Sequence, residues 1–350
     1  MFIQNLSTSG QPTIQIFLKI LIIYFKMTLY CNSFDGKIKI ISASHLSGNL
    51  FHNTTGVIKL FFGFCDSLIF IFKLKPLIGI SFGSYASLPP CFAIKIFKFF
   101  YKINFYIHEQ NSIIGRSNKY FVKNANKIFV NFKKDYKINK QYIHKINIVG
   151  IPRLIKKDKS NNKIILTKIK NKFTIFLYGG SQGSIPLLEC FEKLLLKLQY
   201  NDFERIFFII QCPDHYINSF KNKILKYNIK FEINDFFENL PALLENTDLI
   251  LSRCGAGTIN DIISNKIPSI LVPLPSAKDN HQFENAKYLF KKKCGIILDQ
   301  NNFNSEEAYQ FIQKFLIDTN QINKIKEILN KEKILDTNNI MLNLIKNEIK

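Results

Sequence analysis

The sequence contains no tryptophan, no CxxC pair and only four arginines, Arg116, Arg153, Arg205 and Arg253. Each scarcity removes a class of protein. The seven cysteines (Cys31, Cys65, Cys91, Cys190, Cys212, Cys254 and Cys294) are scattered, without the Cys/His spacing that zinc needs, and read as free thiols in a reducing cytosol. No acidic cluster marks a metal site either, so neither a metal nor an organic cofactor is expected. No apolar run reaches the roughly 18 uninterrupted residues of a membrane span. Ile14 to Phe25 is 12 residues long, contains Lys19 and lacks a basic leader and a cleavage site, so it reads as a buried helix. Val57 to Ile80 is longer but is interrupted by Lys59, Asp66, Lys73 and Lys75.

What is abundant is lysine. The formal charge of +22 would ordinarily suggest nucleic acid or an anionic membrane, because a dense positive field attracts phosphate at long range. Here the charge comes almost wholly from Lys in a chain also swollen in Ile, Asn and Phe, which reads as composition drift with solvated lysine faces. No motif interleaves basic residues with stacking aromatics, so nucleic acid is not an expected partner.

At 350 residues, 47% hydrophobic and 21% charged, the chain suffices for two folded domains. Short β-branched or aromatic runs alternate with segments of helical period, the pattern of an α/β protein with parallel sheets. In the first half, strands are expected at Phe2 to Leu6, Ile38 to Ile41, Leu77 to Phe82, Asn104 to His108, Lys127 to Val130 and Asn147 to Val149. A polar Lys/Asn-rich stretch to Lys172 then connects to a second series. Its strands are expected at Phe173 to Tyr178, Arg205 to Gln211, Lys230 to Ile233, Leu249 to Ser252, Ser269 to Val272 and Gly295 to Leu298. This divides the chain into a domain over 1–155, a second over 165–315 and a helical segment over 316–350 packing back towards the first. Two doubly wound, Rossmann-like sheets facing a cleft would bind ligands at the carboxyl ends of their strands.

The polar motifs fall at such ends. Strand Phe173 to Tyr178 runs into Gly179-Gly180-Ser181-Gln182-Gly183-Ser184 and a helix, a turn whose backbone N–H groups and helix dipole can hold phosphate without a cation, although such turns are also common as plain structure. Strand Leu249 to Ser252 leads to Arg253-Cys254-Gly255-Ala256-Gly257-Thr258 and a helix whose first turn is expected to carry Asp261, placed for ribose hydroxyls or merely to complement the helix dipole. Beyond the next strand, Gln282 and Asn285 offer amide donors and acceptors suited to sugar hydroxyls, while Asp279 or Asn280 could cap the helix. His108-Glu109-Gln110-Asn111 ends an apolar strand, where four polar residues are costly to bury idle. Gly83-Ser84-Tyr85 and Ser7-Thr8-Ser9-Gly10-Gln11 end two more.

In combination and order, His108 to Asn111 with Gly115 and Asn118, the turn Gly179 to Gly183, and Arg253 to Thr258 through Pro268, Pro273 and Gln282 to Ala286 resemble the MurG family. Its members are N-acetylglucosaminyltransferases that convert lipid I to lipid II in peptidoglycan synthesis. The resemblance implies the GT-B fold, an inverting metal-independent transfer from UDP-N-acetylglucosamine to an undecaprenyl-linked acceptor, and a peripheral place on the cytoplasmic face of the bacterial inner membrane. It implies Ser181, with Gln182 in the same turn, on the UDP phosphates, Phe237 near the uracil through its backbone, and Ala256 and Thr258 at the phosphate-binding helix start. It further implies Asp261 on the ribose, Gln282, Asn285 and Asn111 on the donor sugar, Arg153 on the nucleotide side, and Thr8 and Gly10 facing the acceptor diphosphate.

Two positions depart from the family. Asp261 stands where the family has Glu. Gln11 stands where the family has the His favoured as general base, and Gln cannot accept a proton at neutral pH. Glu109 or His108 is the expected replacement. The apolar stripe Leu60, Phe61, Phe64, Leu68 and Phe72, flanked by Lys59, Lys73 and Lys75, suits either an anionic membrane surface or core packing. Other readings are a different UDP-sugar enzyme on the same fold, such as an epimerase or glycolipid synthase, and a decayed, non-catalytic UDP-sugar-binding homologue.

Overall fold

The structure, a computed structural model, describes residues 2–6, 18–23, 41–42, 50–152, 172–180, 183–237, 239–332 and 335–349. It divides into two compact units, Met1–Pro152 with Leu335–Lys350, and Arg153–Ile334.

In the first unit the described strands are β1 (Phe2–Leu6), β2 (Leu18–Ile23), β3 (Ile78–Ser81), β4 (Asn104–Glu109), β5 (Lys127–Val130) and β6 (Ile146–Ile148). They form one sheet in chain order, with β2 to β6 parallel. Helices α1 (Leu50–Leu74), α2 (Leu88–Phe97) and α3 (Arg116–Phe121) precede β3, β4 and β5 respectively. Strand β4 shows why the sequence takes this form. Successive side chains point to opposite faces, and both faces are covered, so its centre, Phe105 to Ile107, is apolar on both sides. Phe105 and Ile107 pack with Ile71, Ile94 and Phe121 on one side. Tyr106 packs with Phe129, Ile78 and Val149 on the other, against Met341 and Ile345 of the C-terminal helix Thr337–Ile349. The Tyr106 hydroxyl donates to Glu348 Oε2 at 3.0 Å, and Lys127 pairs with Glu348 at 3.1 Å.

Two expectations change here. Within Ile14 to Phe25, read as a buried helix, Leu18–Ile23 is strand β2: six Leu, Ile and Lys residues are too few to nucleate a helix but suit a sheet position. Strand β1 runs antiparallel to β2 with Leu6 opposite Leu18, so its carboxyl end lies at the edge where the parallel strands begin. The expected strand at Ile38 to Ile41 lies, but for Ile41, outside the described residues, as do 153–171.

The second unit is a fully parallel sheet in the order β12-β11-β10-β7-β8-β9. Its strands are β7 (Phe173–Tyr178), β8 (Ile206–Gln211), β9 (Lys230–Asn234), β10 (Leu249–Ser252), β11 (Ser269–Leu271) and β12 (Gly295–Ile297). The intervening helices are α4 (Ile185–Leu195), α5 (Tyr200–Arg205), α6 (Ile217–Ile224), α7 (Leu240–Glu245), α8 (Ala256–Asn265) and α9 (His281–Lys291). They are followed by α10 (Ser305–Ile317) and α11 (Asn320–Asn330), and the C-terminal helix of the first unit is α12 (Thr337–Ile349). The strand order reverses between β7 and β10. At such a switch point the connections diverge to opposite faces and leave a crevice at the carboxyl edge.

One backbone feature of the first unit is testable by itself. Ser84, after β3, adopts φ 78° and ψ 162°, and its buried hydroxyl has no hydrogen-bond partner among the described residues. Only glycine takes that conformation without steric cost. Ser84→Gly is therefore expected to raise stability by about 1 kcal/mol, measured by urea unfolding.

Candidate functional site

The switch point carries both glycine-rich turns. Ser252 at the end of β10 lies opposite Tyr178 at the end of β7, and the Arg253 N–H donates to the Tyr178 carbonyl at 3.3 Å, so the two turns leave the same edge side by side. After β7, Gly180 and Gly183 have φ of +87° and +68°. A Cβ on Gly179 would lie 2.6 Å from the Ser184 nitrogen, which shows how tightly the turn closes on itself. A Cβ on Gly180 or on Gly257 would meet nothing within 4 Å. The turn is packed underneath and open above. Helix α8 starts at Ala256 behind Gly255, with no side-chain cap. Ala256 and Thr258 are buried, so what this helix start offers a ligand is backbone N–H and dipole.

Arg253 fastens this edge. Its guanidinium donates to Ser184 Oγ from Nε (3.1 Å) and Nη2 (2.8 Å), to Gln300 Oε1 from Nη2 (2.5 Å), and to the Val272 and Pro273 carbonyls from Nη1 (3.1 and 3.4 Å). One side chain thus ties together the residues that follow β7, β10, β11 and β12. Ser184, the residue before α4, makes no side-chain cap because its oxygen is turned to Arg253.

Gln282 and Asn285 sit on α9 and face the same loop. Gln282 Oε1 accepts from Cys254 N (3.2 Å) and Leu274 N (3.0 Å), while its Nε2 makes no hydrogen bond among the described residues. The amide is therefore polarised: its acceptor is used by the protein, and only its donors remain for a ligand. Asn285 is fully buried and donates from Nδ2 to the Cys254 carbonyl at 3.0 Å.

In the first unit, the carboxyl ends of β3 and β4 build a second polar centre. The buried Glu109 carboxylate accepts from Asn111 N (3.0 Å) and Asn111 Nδ2 (3.2 Å) at Oε1, and from Gly115 N (2.9 Å) and Asn118 Nδ2 (2.8 Å) at Oε2. Burial raises its pKa, against which these four donors pull down. His108 is fully buried, its ring tilted against Phe82 with centres 4.9 Å apart, and donates from Nε2 to the Gly150 carbonyl at 2.8 Å, which leaves Nδ1 unprotonated and without a partner among the described residues.

The glycosyltransferase family 28 N-terminal domain model matches residues 30–130, and the glycosyltransferase family 28 C-terminal domain model matches 174–338. The UDP-N-acetylglucosamine--N-acetylmuramyl-(pentapeptide) pyrophosphoryl-undecaprenol N-acetylglucosamine transferase of Rickettsia felis is 33% identical over 276 residues, 76% of this chain and 71% of the relative. The protein of the same description from Rickettsia canadensis is 33% identical over 237 residues, 67% of this chain and 65% of the relative. Among solved structures, Acinetobacter baumannii MurG superposes with a TM-score of 0.66 at 21% identity, covering 83% of this chain and 80% of that one. An S. aureus MnaA–UDP co-structure gives 0.59 at 12% identity, covering 82% and 78%. The chain belongs to the MurG family.

The fold is accordingly GT-B. This geometry bears on several of the expected residues. Asp261 lies in the second turn of α8, not the first, so complementation of the helix dipole, which fades within one turn, does not account for it. Asn285, with no exposed surface, holds the loop at Cys254. The Phe237 side chain packs edge-on against Phe176, ring centres 5.6 Å apart, and leaves only its backbone for a ligand. Neither Asp279 nor Asn280 caps α9: both have positive φ, and Asn280 makes no side-chain cap bond. Glu109 and His108, the expected bases, are both committed inside the fold, one to four donors and the other to Gly150. Asn111 is held beside Glu109 by two of those bonds. Thr8, Gly10, Gln11, Arg153, Ser181 and Gln182 lie outside the described residues. The role of Arg253 is not evident from the sequence alone; its signal is an arginine, one of only four, directly after an apolar strand.

The His108 environment sets a pH dependence. Burial pushes its pKa down from 6.5 to about 4, so between these values the unfolded chain binds the extra proton. Its stabilising contribution is full above about pH 6.5 and is lost as pH falls through 4, up to about 3 kcal/mol. Glu109, whose pKa is raised, acts with the opposite sign, so the two must be separated. His108→Gln is expected to remove only the imidazole part: urea unfolding from pH 7 to 4 should show a stability loss in the wild type that the variant lacks.

Proposed function

We propose that the chain transfers N-acetylglucosamine from its UDP donor to the undecaprenyl-diphosphate-linked N-acetylmuramyl-pentapeptide named in the descriptions of its relatives. The observation that carries this reading is the pair of open turns at the switch point of the second sheet, fastened by a buried arginine and facing the donor side of Gln282. The acceptor 4-hydroxyl attacks the anomeric carbon as the bond from that carbon to the UDP oxygen breaks, and the hydroxyl proton passes to water. The departing diphosphate gains charge, and the Gly180 turn together with the α8 start stabilise it by fixed dipoles. Gln282 Nε2 donates to the sugar, and Asp261 accepts from the ribose. No group of His, Cys, Asp and Glu able to hold a metal occurs among the described residues. Glu109 acts as a positioning residue with Asn111 as the group it presents, and His108 holds the backbone at Gly150.

The acceptor's lipid brings the first unit to a bilayer. No described helix is long and apolar enough to cross one. The stripe on α1 divides in two: Phe64 and Leu68 pack on the core, whereas Phe61 and Phe72 are exposed, as are Ile58 and Phe62. Phe99 and Phe100 after α2 are 84% and 74% exposed, beside Lys95, Lys98 and Lys102. Exposed aromatics with a lysine rim fit an anionic interface.

The reaction is tested by turnover of UDP-N-acetylglucosamine with a lipid I analogue in EDTA, beside calorimetry with the donor alone. Disaccharide product with inversion is expected. Donor binding without turnover supports the decayed homologue, and a different product supports another UDP-sugar enzyme. For the membrane contact, flotation with anionic liposomes is expected to carry the wild type and to lose the variant Phe99→Ser/Phe100→Ser.

A further inference from the structure

The Arg253 guanidinium is buried, yet among the described residues its charge has no counter-ion. All five of its N–H groups are used, and every acceptor is neutral: one hydroxyl, one amide and two backbone carbonyls. No carboxylate pairs with it among the described residues. The nearby thiols of Cys190 and Cys254 do not compensate either, because burial raises both of their pKa values and keeps them protonated. A buried cation without an anion is costly, and an apolar side chain would pack the same space at less cost. Its position gives the charge a use, because Ser184 closes the glycine turn and Cys254 leads into the start of α8. With no N–H to spare, Arg253 cannot touch a ligand. Ser184 can, since its oxygen accepts twice from the guanidinium and its own hydroxyl hydrogen is committed to no described acceptor. A hydroxyl polarised in this way is a stronger donor.

We propose that Arg253 is a positioning residue for the donor diphosphate: acting through the Ser184 hydroxyl and through its uncompensated charge, it makes the turn selective for a diphosphate over an uncharged nucleoside. This rests on the reading of the second unit as the donor site. The fold carries a positive charge in advance, and the ligand supplies the missing anion. In a metal-independent transfer this charge also favours the departing diphosphate over the bound donor, since charge on the leaving oxygens increases along the reaction.

The test compares the full-length chain with Arg253→Met, Arg253→Lys and Ser184→Ala in EDTA, measuring affinity for UDP and for uridine and the thermal midpoint without ligand. Arg253→Met is expected to weaken UDP binding roughly 10- to 100-fold, the range of a charge-assisted hydrogen bond, while uridine binding changes by no more than about twofold. Arg253→Lys, which keeps the charge, is expected to recover part of the UDP affinity. Ser184→Ala should lower UDP affinity alone, and should add little to Arg253→Met, as expected of two groups acting in series. If UDP and uridine weaken in the same proportion, or if Lys is no better than Met in folded protein, Arg253 is merely structural and the proposal fails. Should Arg253→Met not fold, Ser184→Ala decides: an unchanged ratio of UDP to uridine affinity overturns it. Failure of the donor-site reading itself shows differently, as a wild-type chain that does not bind UDP.

Discussion

Gly257→Glu is expected to abolish UDP binding while leaving the protein as stable as the wild type or more so. Gly257 is the second residue of α8, exposed, and a side chain there would meet nothing within 4 Å. In the free protein a glutamate at this point helps twice: it replaces a glycine within a helix, and it places a negative charge in the first turn, together worth about 1 kcal/mol. With a diphosphate in place the same carboxylate faces a like charge at close range, which costs several kcal/mol and should lower UDP affinity on the order of 100-fold or more. Stability and binding move in opposite directions. A variant damaged in folding would lose both, and a helix start that holds no ligand would keep its affinity. Calorimetry and thermal unfolding of the same preparation separate the three outcomes.

Glu109→Gln is expected to lower stability and turnover together. The carboxylate is the acceptor for four N–H groups from three residues, and no other group in that loop replaces it. A glutamine keeps one acceptor oxygen and turns an NH2 against donors that were previously satisfied. The loss should be about 3 kcal/mol, since buried donors are left unpaired around the site. Turnover falls because Asn111 and the start of α3 at Gly115 lose their fixed positions. A general base would behave differently. Its removal would cost turnover alone, with the thermal midpoint unchanged, and would flatten the acid limb of the pH–rate profile. Measuring both properties in Glu109→Gln and Glu109→Asp distinguishes a positioning anion from a proton acceptor.

Much of this was legible in the residues. β4, β5, β7 and β10 stand out as apolar runs because each is covered on both faces, and polar or glycine-rich residues directly after such runs mark the carboxyl edge. The order of strands was not legible. That β7 lies beside β10, and that the two glycine turns therefore abut, follows from pairings between residues about 75 positions apart, which leave no local trace. Leu18–Ile23 misled for a related reason: a short apolar run has no period, and only the neighbour it finds makes it a strand. Among site residues, the type was readable and the direction was not. Gln282 offers donor and acceptor as a sequence letter, but Cys254 N and Leu274 N consume the acceptor. His108 and Glu109 looked like acid–base groups because polar residues at a strand tip are costly to bury idle. They are buried, but they are not idle: each is a partner that completes the backbone around it. Arg253 shows the reverse, a residue whose role appears only when four strand ends are seen to converge on it.

The most direct test of the donor site is hydrogen–deuterium exchange of the full-length chain with and without UDP in EDTA. Protection confined to peptides spanning 179–184 and 254–261 is predicted, with none requiring a divalent cation. Protection that appears only with magnesium, or that leaves both of these peptides unchanged, would contradict the account.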